Sequence, residues 1–94
     1  MPRPKKCRQL SCCAPCSMFK PNGIASSELT KIQLEADEFE ALNLGDVQKL
    51  SQLDAATSMG ISRQTFGNLL ASARKKVATA ITQGHALLLP QPDQ

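Results

Sequence analysis

The sequence predicts an all-α protein: a small helix-turn-helix domain of about three helices, ending in a long recognition helix and preceded by an irregular, cysteine-containing N-terminal arm. Three observations predict it. First, 41% of the 94 residues are hydrophobic, yet there are only three Phe and no Trp or Tyr, so the core must be aliphatic. Second, Phe66, Leu69, Leu70, Ala73, Val77 and Ile81 recur at spacings of three and four, one face of a helix over about four turns. Third, Ser51 and Ser62 stand where helices should begin, and Gly60 and Gly84 where they should end. A chain of this length builds one modest core, which excludes a second, enzyme-sized domain.

Taken in order, residues 1–27 form a basic arm rich in Cys and Pro. Pro2, Pro4, Pro15, Pro21 and the Asn22-Gly23 turn signal leave no room there for a long regular element. Residues 28–84 form the helix-turn-helix domain. Leu29-Thr30-Lys31-Ile32-Gln33-Leu34 alternates apolar and polar residues, which fits a short extended segment or a helical first turn. Good helix formers from Ala36 to Leu44, with Asp37, Glu38 and Glu40 near the start, predict a first helix that Gly45-Asp46 interrupts. Its acids are expected on a solvated face, or at most on a surface for a basic partner. Ser51-Gln-Leu-Asp54 has the form of a capping box and opens a short second helix, ended by Gly60. Ser62 caps the long third helix. Residues 85–94 are a tail that frays unless its leucines pack.

Ala56-x-x-x-Gly60-Ile61-Ser62 is the spacing a helix-turn-helix requires. Ala56 lets the two helices cross closely, Gly60 makes the turn, Ile61 plugs the space between them and Ser62 caps the second. The unit spans residues 51–81. The N-terminal outward positions of its recognition helix are Arg63, Gln64, Gly67 and Asn68. Arginine suits guanine O6/N7, and glutamine and asparagine suit adenine N6/N7, so Arg63, Gln64 and Asn68 are the expected base contacts. Gly67 permits close approach to the groove wall. Ser62 and Thr65 offer hydroxyls to phosphate, and Arg74, Lys75 and Lys76 lie too far along the helix for bases but within reach of the backbone. A helical hairpin with a merely wet polar face is the alternative.

These residues also carry a resemblance. Met1-Pro-Arg-Pro-Lys-Lys-Cys-Arg8, Phe19-x-Pro-x-Gly23 and Asp37-Glu-x-Glu-Ala-Leu42 carry part of it. The rest lies in Leu50-Ser-Gln-x-x-Ala-Ala-x-x-Met-Gly-Ile-Ser-Arg-Gln-Thr-Phe66 and Ala73-Arg-x-Lys-Val77. Over residues 1–88 the chain resembles an uncharacterised prokaryotic family of predicted DNA-binding proteins, whose helix-turn-helix is similar to region 4 of bacterial sigma factors. That resemblance implies a fold and a binding mode.

Charge is distributed unevenly. Residues 1–20 carry +5, residues 28–54 carry −5 and residues 63–76 carry +4, within a net charge of +3. Two basic segments around an acidic one suit a polyanion-facing side. Arg3, Lys5, Lys6 and Arg8 of the arm are accordingly expected on phosphates or in an adjacent groove.

Cys7, Cys12, Cys13 and Cys16 form C-x4-C-C-x2-C. Four thiols within ten residues suit zinc or an iron-sulfur cluster, although adjacent Cys12 and Cys13 do not easily face one ion. Free cytosolic thiols and regulatory disulfide chemistry stand beside that reading. His85 is a lone histidine, expected to be solvated or packed. There is no catalytic constellation, no phosphate-cradling glycine loop and no apolar run long enough for a membrane span, so the chain is read as cytoplasmic and not an enzyme.

The expectation is therefore sequence-specific binding of double-stranded DNA by a transcriptional regulator. A single helix-turn-helix is a small interface, so a homodimer is expected, with Leu87-Leu88-Leu89 as a surface for it. A module docking on RNA polymerase and a thiol-metal sensor are the alternatives.

Overall fold

Glu35 and Glu38 open the first helix, α1 (Ala36–Leu42), by bonding to each other's backbone across its first turn; the Glu35 N–H donates to Glu38 Oε1 at 2.9 Å. This reciprocal box satisfies two amides that a helix start leaves unpaired. The computed structural model describes residues 17–91. Beyond Leu42 the backbone does not break at Gly45. It continues as a wider helical turn, Asn43–Val47, closed by Gln48 N–H donating to the Asn43 carbonyl at 2.8 Å. The reason for glycine here is packing: a Cβ on Gly45 would lie 3.2 Å from both Leu70 Cδ2 and Phe66 Cζ.

Lys49 then takes a left-handed φ of 64° and turns the chain into α2 (Gln52–Met59). Ser51 Oγ accepts from the Asp54 N–H at 3.0 Å to cap it. Gly60, at φ 74°, ends α2, and the Ile61 N–H returns to the Ala56 carbonyl at 3.0 Å. Ser62 caps α3 (Arg63–Gln83), and Gly84, at φ 71°, ends it. A side chain at either glycine would be strained in that conformation.

The strands correct the all-α expectation. The chain is mostly helical but carries a small three-stranded sheet. β3 (Ala86–Leu88) lies between β1 (Met18–Phe19), which it pairs antiparallel, and β2 (Lys31–Gln33), which it pairs parallel. Phe19 and Ile32 both stand opposite Leu87. The sheet thus ties the end of the Pro-rich arm and the start of the tail to the segment before α1. The tail does not fray at this point, because its leucines do pack: Leu87 and Leu89 are buried. That burial removes Leu87 and Leu89 from the expected dimer surface, leaving Leu88 half-buried.

Two apolar clusters divide α3 between them. Phe66 and Leu70, on its N-terminal half, pack with Ala41, Leu44, Ala55 and Ala56, holding α1, the wide turn and α2 together. Ala73 and Ala80, further along, pack with Leu34, Leu87 and Leu89 and hold the sheet. The alanines on α2 let its backbone come close to α3, as the crossing requires. The apolar stripe ends earlier than its spacing predicts, since Ile81 is 75% exposed. At that level the sheet covers the Ala80 side of α3, and no described element lies over Ile81.

Candidate nucleic-acid interface

At 3.6 residues per turn, spacings of four, three and four put Gln64, Asn68, Ala71 and Lys75 on one line along α3. That line faces away from Phe66, Leu70 and Ala73, and all four residues are exposed. Arg63 flanks it at the helix start. The structure therefore brings together Arg63, Gln64, Asn68 and Lys75 on one outward side. Among the described residues no hydrogen bond or ion pair holds any of these four side chains, so their donors and acceptors are open to a ligand.

The remaining candidates are engaged in the fold. Ser62 Oγ accepts the Thr65 N–H at 3.0 Å and donates to Thr65 Oγ1 at 2.8 Å, which commits the Ser62 hydroxyl to the helix cap while Thr65 Oγ1 accepts there and keeps its own donor. Arg74 makes a two-point contact with Asp46, Nε to Oδ2 at 3.0 Å and Nη2 to Oδ1 at 2.5 Å. The bond from Arg74 holds the Asp46 carboxyl below its ordinary value, and Asp46 in turn holds the guanidinium above its own. Both groups are open to solvent, so this is a positioning contact more than a stabilising one. It fixes Arg74 beside the wide turn that follows α1.

Lys76 departs furthest from the sequence expectation. One position beyond Lys75, it lies on the opposite flank of the helix, where its Nζ donates at 2.7 Å to both Glu38 Oε1 and the Gln33 carbonyl. Glu38 is 5% exposed and also accepts from Ser72 Oγ. Burial alone raises the Glu38 carboxyl, but the bonds from Lys76, Ser72 and the Glu35 amide outweigh it and hold it below its ordinary value. Lys76 is thus a structural counter-charge joining α3 to α1 and β2, and its assignment to phosphate is corrected on that ground. The acids of α1 are likewise not one solvated face: Glu38 and Glu40 are buried and only Asp37 is exposed.

Gln52 is a candidate that sequence reasoning missed. As the first residue of α2 it places its Oε1 3.8 Å from where a Gly67 Cβ would lie, so the start of α2 comes close to α3 beside its exposed polar stripe. Its position directly after the Ser51 cap was the available signal. Cys7, Cys12, Cys13 and Cys16, with Arg3, Lys5, Lys6 and Arg8, lie outside the described residues. Among the described residues no cluster of His, Asp and Glu is arranged to hold a metal ion, and no helix is long and apolar enough to cross a membrane. His85 is half-buried beside the end of α3.

Fold and site together define a small, mostly helical protein in which two capped helices joined by a glycine turn present an open polar stripe, backed by a three-stranded sheet. Within that class, the chain belongs to the family described as "Protein of unknown function DUF134", which it matches over residues 1–93. Its relatives are bacterial. A UPF0251 protein of Shewanella sediminis (strain HAW-EB3) is 85% identical over 94 residues, covering 100% of this chain and 98% of the relative. Others in Shewanella halifaxensis (strain HAW-EB4) and Shewanella baltica (strain OS155 / ATCC BAA-1091) are 87% and 80% identical, covering 96% and 98% of this chain and 94% of each relative. No solved structure matches it.

Proposed function

We propose that this protein binds double-stranded DNA sequence-specifically through the helix-turn-helix formed by α2 and α3, and acts in the cytoplasm as a transcriptional regulator. The observation that carries this reading is the unpartnered stripe Gln64, Asn68 and Lys75, with Arg63 beside it, on a helix held rigidly by Phe66 and Leu70 beneath. Two amides and a guanidinium at the N-terminal end suit base edges, and a lysine two turns further on suits the phosphate backbone. Asp46 steadies Arg74 on the same flank as Arg63, where a second phosphate contact is available. The sigma-region-4-like character of the unit is part of this proposal.

The test is duplex binding followed by fluorescence anisotropy across a salt series. Each phosphate neutralised releases counterions, so affinity should fall steeply with salt, with a log–log slope of about −0.9 per contact. Lys75 and Arg74, as two phosphate contacts, predict a slope of about −1.8 from the described residues. Binding that is independent of salt, or no binding at 50 mM salt, would overturn the reading.

A further inference from the structure

The second apolar cluster is not closed on all sides. Leu34, Leu87 and Leu89, buried within it, also line a groove of about 830 Å³ between β1, the wide turn after α1 and the C-terminal part of α3. Phe39, Leu42 and Val77 line it too and are half-buried, while Phe19, Val47 and Ile81, mostly exposed, form its lip. Apolar atoms that face solvent across a groove lack dispersion partners on that side, so an apolar occupant gains contacts and removes surface from water at once.

The size of the groove points to a small molecule. Its volume lies within the range of small-molecule sites, about 300–1,000 Å³, and such sites combine apolar walls with a few polar groups. The surface it leaves open is only a fraction of the about 800 Å² that one partner gives to a stable protein interface. Its polar groups say what the small molecule carries. Lys20 and His85 are the only titratable side chains among the described residues of the lining, and no carboxylate is among them. The antiparallel register of Phe19 with Leu87 puts Lys20 level with Ala86, so Lys20 and His85 flank the same end of the groove. Lys20 Nζ gives one bond, to the Ile24 carbonyl at 2.8 Å, and keeps two donors. The His85 ring is half-buried and held by no described residue.

We infer that this groove binds a small apolar molecule ending in a carboxylate, of the class of a medium-chain fatty acid. The chain of the ligand lies against Phe39, Leu42, Val77 and Leu87, and its carboxylate meets Lys20 Nζ and the His85 ring at one end. Burial of the chain supplies most of the affinity. The carboxylate supplies orientation more than strength, because Lys20 is exposed and a solvated ion pair contributes little. The site is separate from the reading stripe: Ile81 lies seventeen residues beyond Gln64 on α3, about 25 Å at 1.5 Å per residue.

The experiment is a titration of the ¹⁵N-labelled full-length chain at pH 7, followed by amide shifts, with hexanoate, octanoate, decanoate and decylammonium, each kept below its micelle concentration. The inference predicts saturable one-to-one binding of decanoate with a dissociation constant below about 1 mM. The shifts should centre on Phe19, Lys20, Val47, Ile81 and Leu87. Affinity should rise about tenfold for each two methylenes added from hexanoate to decanoate. Decylammonium should bind at least about fivefold more weakly than decanoate. Lys20→Gln should weaken decanoate binding about two- to fivefold, and Lys20→Arg should retain it. Shifts that do not saturate, an affinity independent of chain length, or shifts centred on Gln64 and Asn68 would overturn the site. Decylammonium binding as tightly as decanoate to wild type would overturn the carboxylate assignment without recourse to any variant. Because the titration contains no DNA, its failure leaves the reading stripe of α3 untouched, and a protein that binds decanoate but no duplex would count against the stripe alone.

Discussion

Lys75 and Lys76 are adjacent in sequence and serve different parts of the molecule. A helix rotates about 100° per residue, which sends Lys75 outward with Gln64 and Asn68 and Lys76 inward to Glu38. The basic run Arg74-Lys75-Lys76 was legible in the sequence, but its division among a paired arginine, an open lysine and a structural lysine was not. The division depends on Asp46 and Glu38, 28 and 38 residues away. Neutralising Lys75 with Lys75→Gln should flatten the salt dependence of duplex binding by roughly 1 and leave the melting temperature unchanged. Lys76→Gln should do the reverse. Removing one partner of this partly buried pair costs about 1–2 kcal/mol, several degrees in melting temperature for a domain of this size, with the salt slope intact. The same slope change in both variants would contradict the assignment.

At the scale of elements, α3 was the most legible part of the chain, because Ser62, Gly84 and the spacing from Phe66 to Val77 act locally. Of the strands only β2 was, as the short extended segment that the alternation over residues 29–34 allowed; β1 and β3 were not. Each is two or three residues long, and β3 is held between partners near residues 18 and 32, so no local periodicity announces it. Gly45 was legible as a glycine but not as a packing position, since its neighbours Phe66 and Leu70 lie more than twenty residues downstream. Gly67 offers a different test. A Cβ there would meet only Gln52 Oε1, at 3.8 Å, so the fold does not require glycine. Gly67→Ala should therefore stabilise α3 by about 1 kcal/mol and raise the melting temperature, while weakening duplex binding if the glycine allows close approach to DNA. Unchanged affinity would remove Gly67 from the contact side.

The junction between α1 and α3 has a pH signature. Glu38 titrates below its ordinary 4.5 in the folded chain, so the unfolded chain binds its proton more readily. Its contribution to stability is present above about pH 4.5 and lost as the pH falls through the lowered folded value. Melting temperatures measured from pH 7 to pH 3 should fall more steeply below pH 4.5 for wild type than for Glu38→Gln. Parallel curves would mean that the Lys76 and Ser72 bonds contribute nothing net.

At the scale of the whole molecule, α3 links the sheet and apolar groove at one end to the reading stripe at the other, about 30 Å away for a helix of 21 residues. The stripe was legible in the sequence because base-reading residue types occupy helix positions that spacing alone assigns. The exposure of Ile81 was not, because it depends on where the tail strand comes to lie. The measurement that tests the central claim most directly is selection of bound duplexes from a random pool, by wild type and by the Arg63→Ala, Gln64→Ala and Asn68→Ala variants. The account predicts that wild type enriches one motif, and that each variant relaxes the preference at its own position at a cost of about 1–3 kcal/mol on the selected site and much less on random duplex. An unenriched wild-type pool, or the same motif at the same affinity from all four proteins, would contradict it.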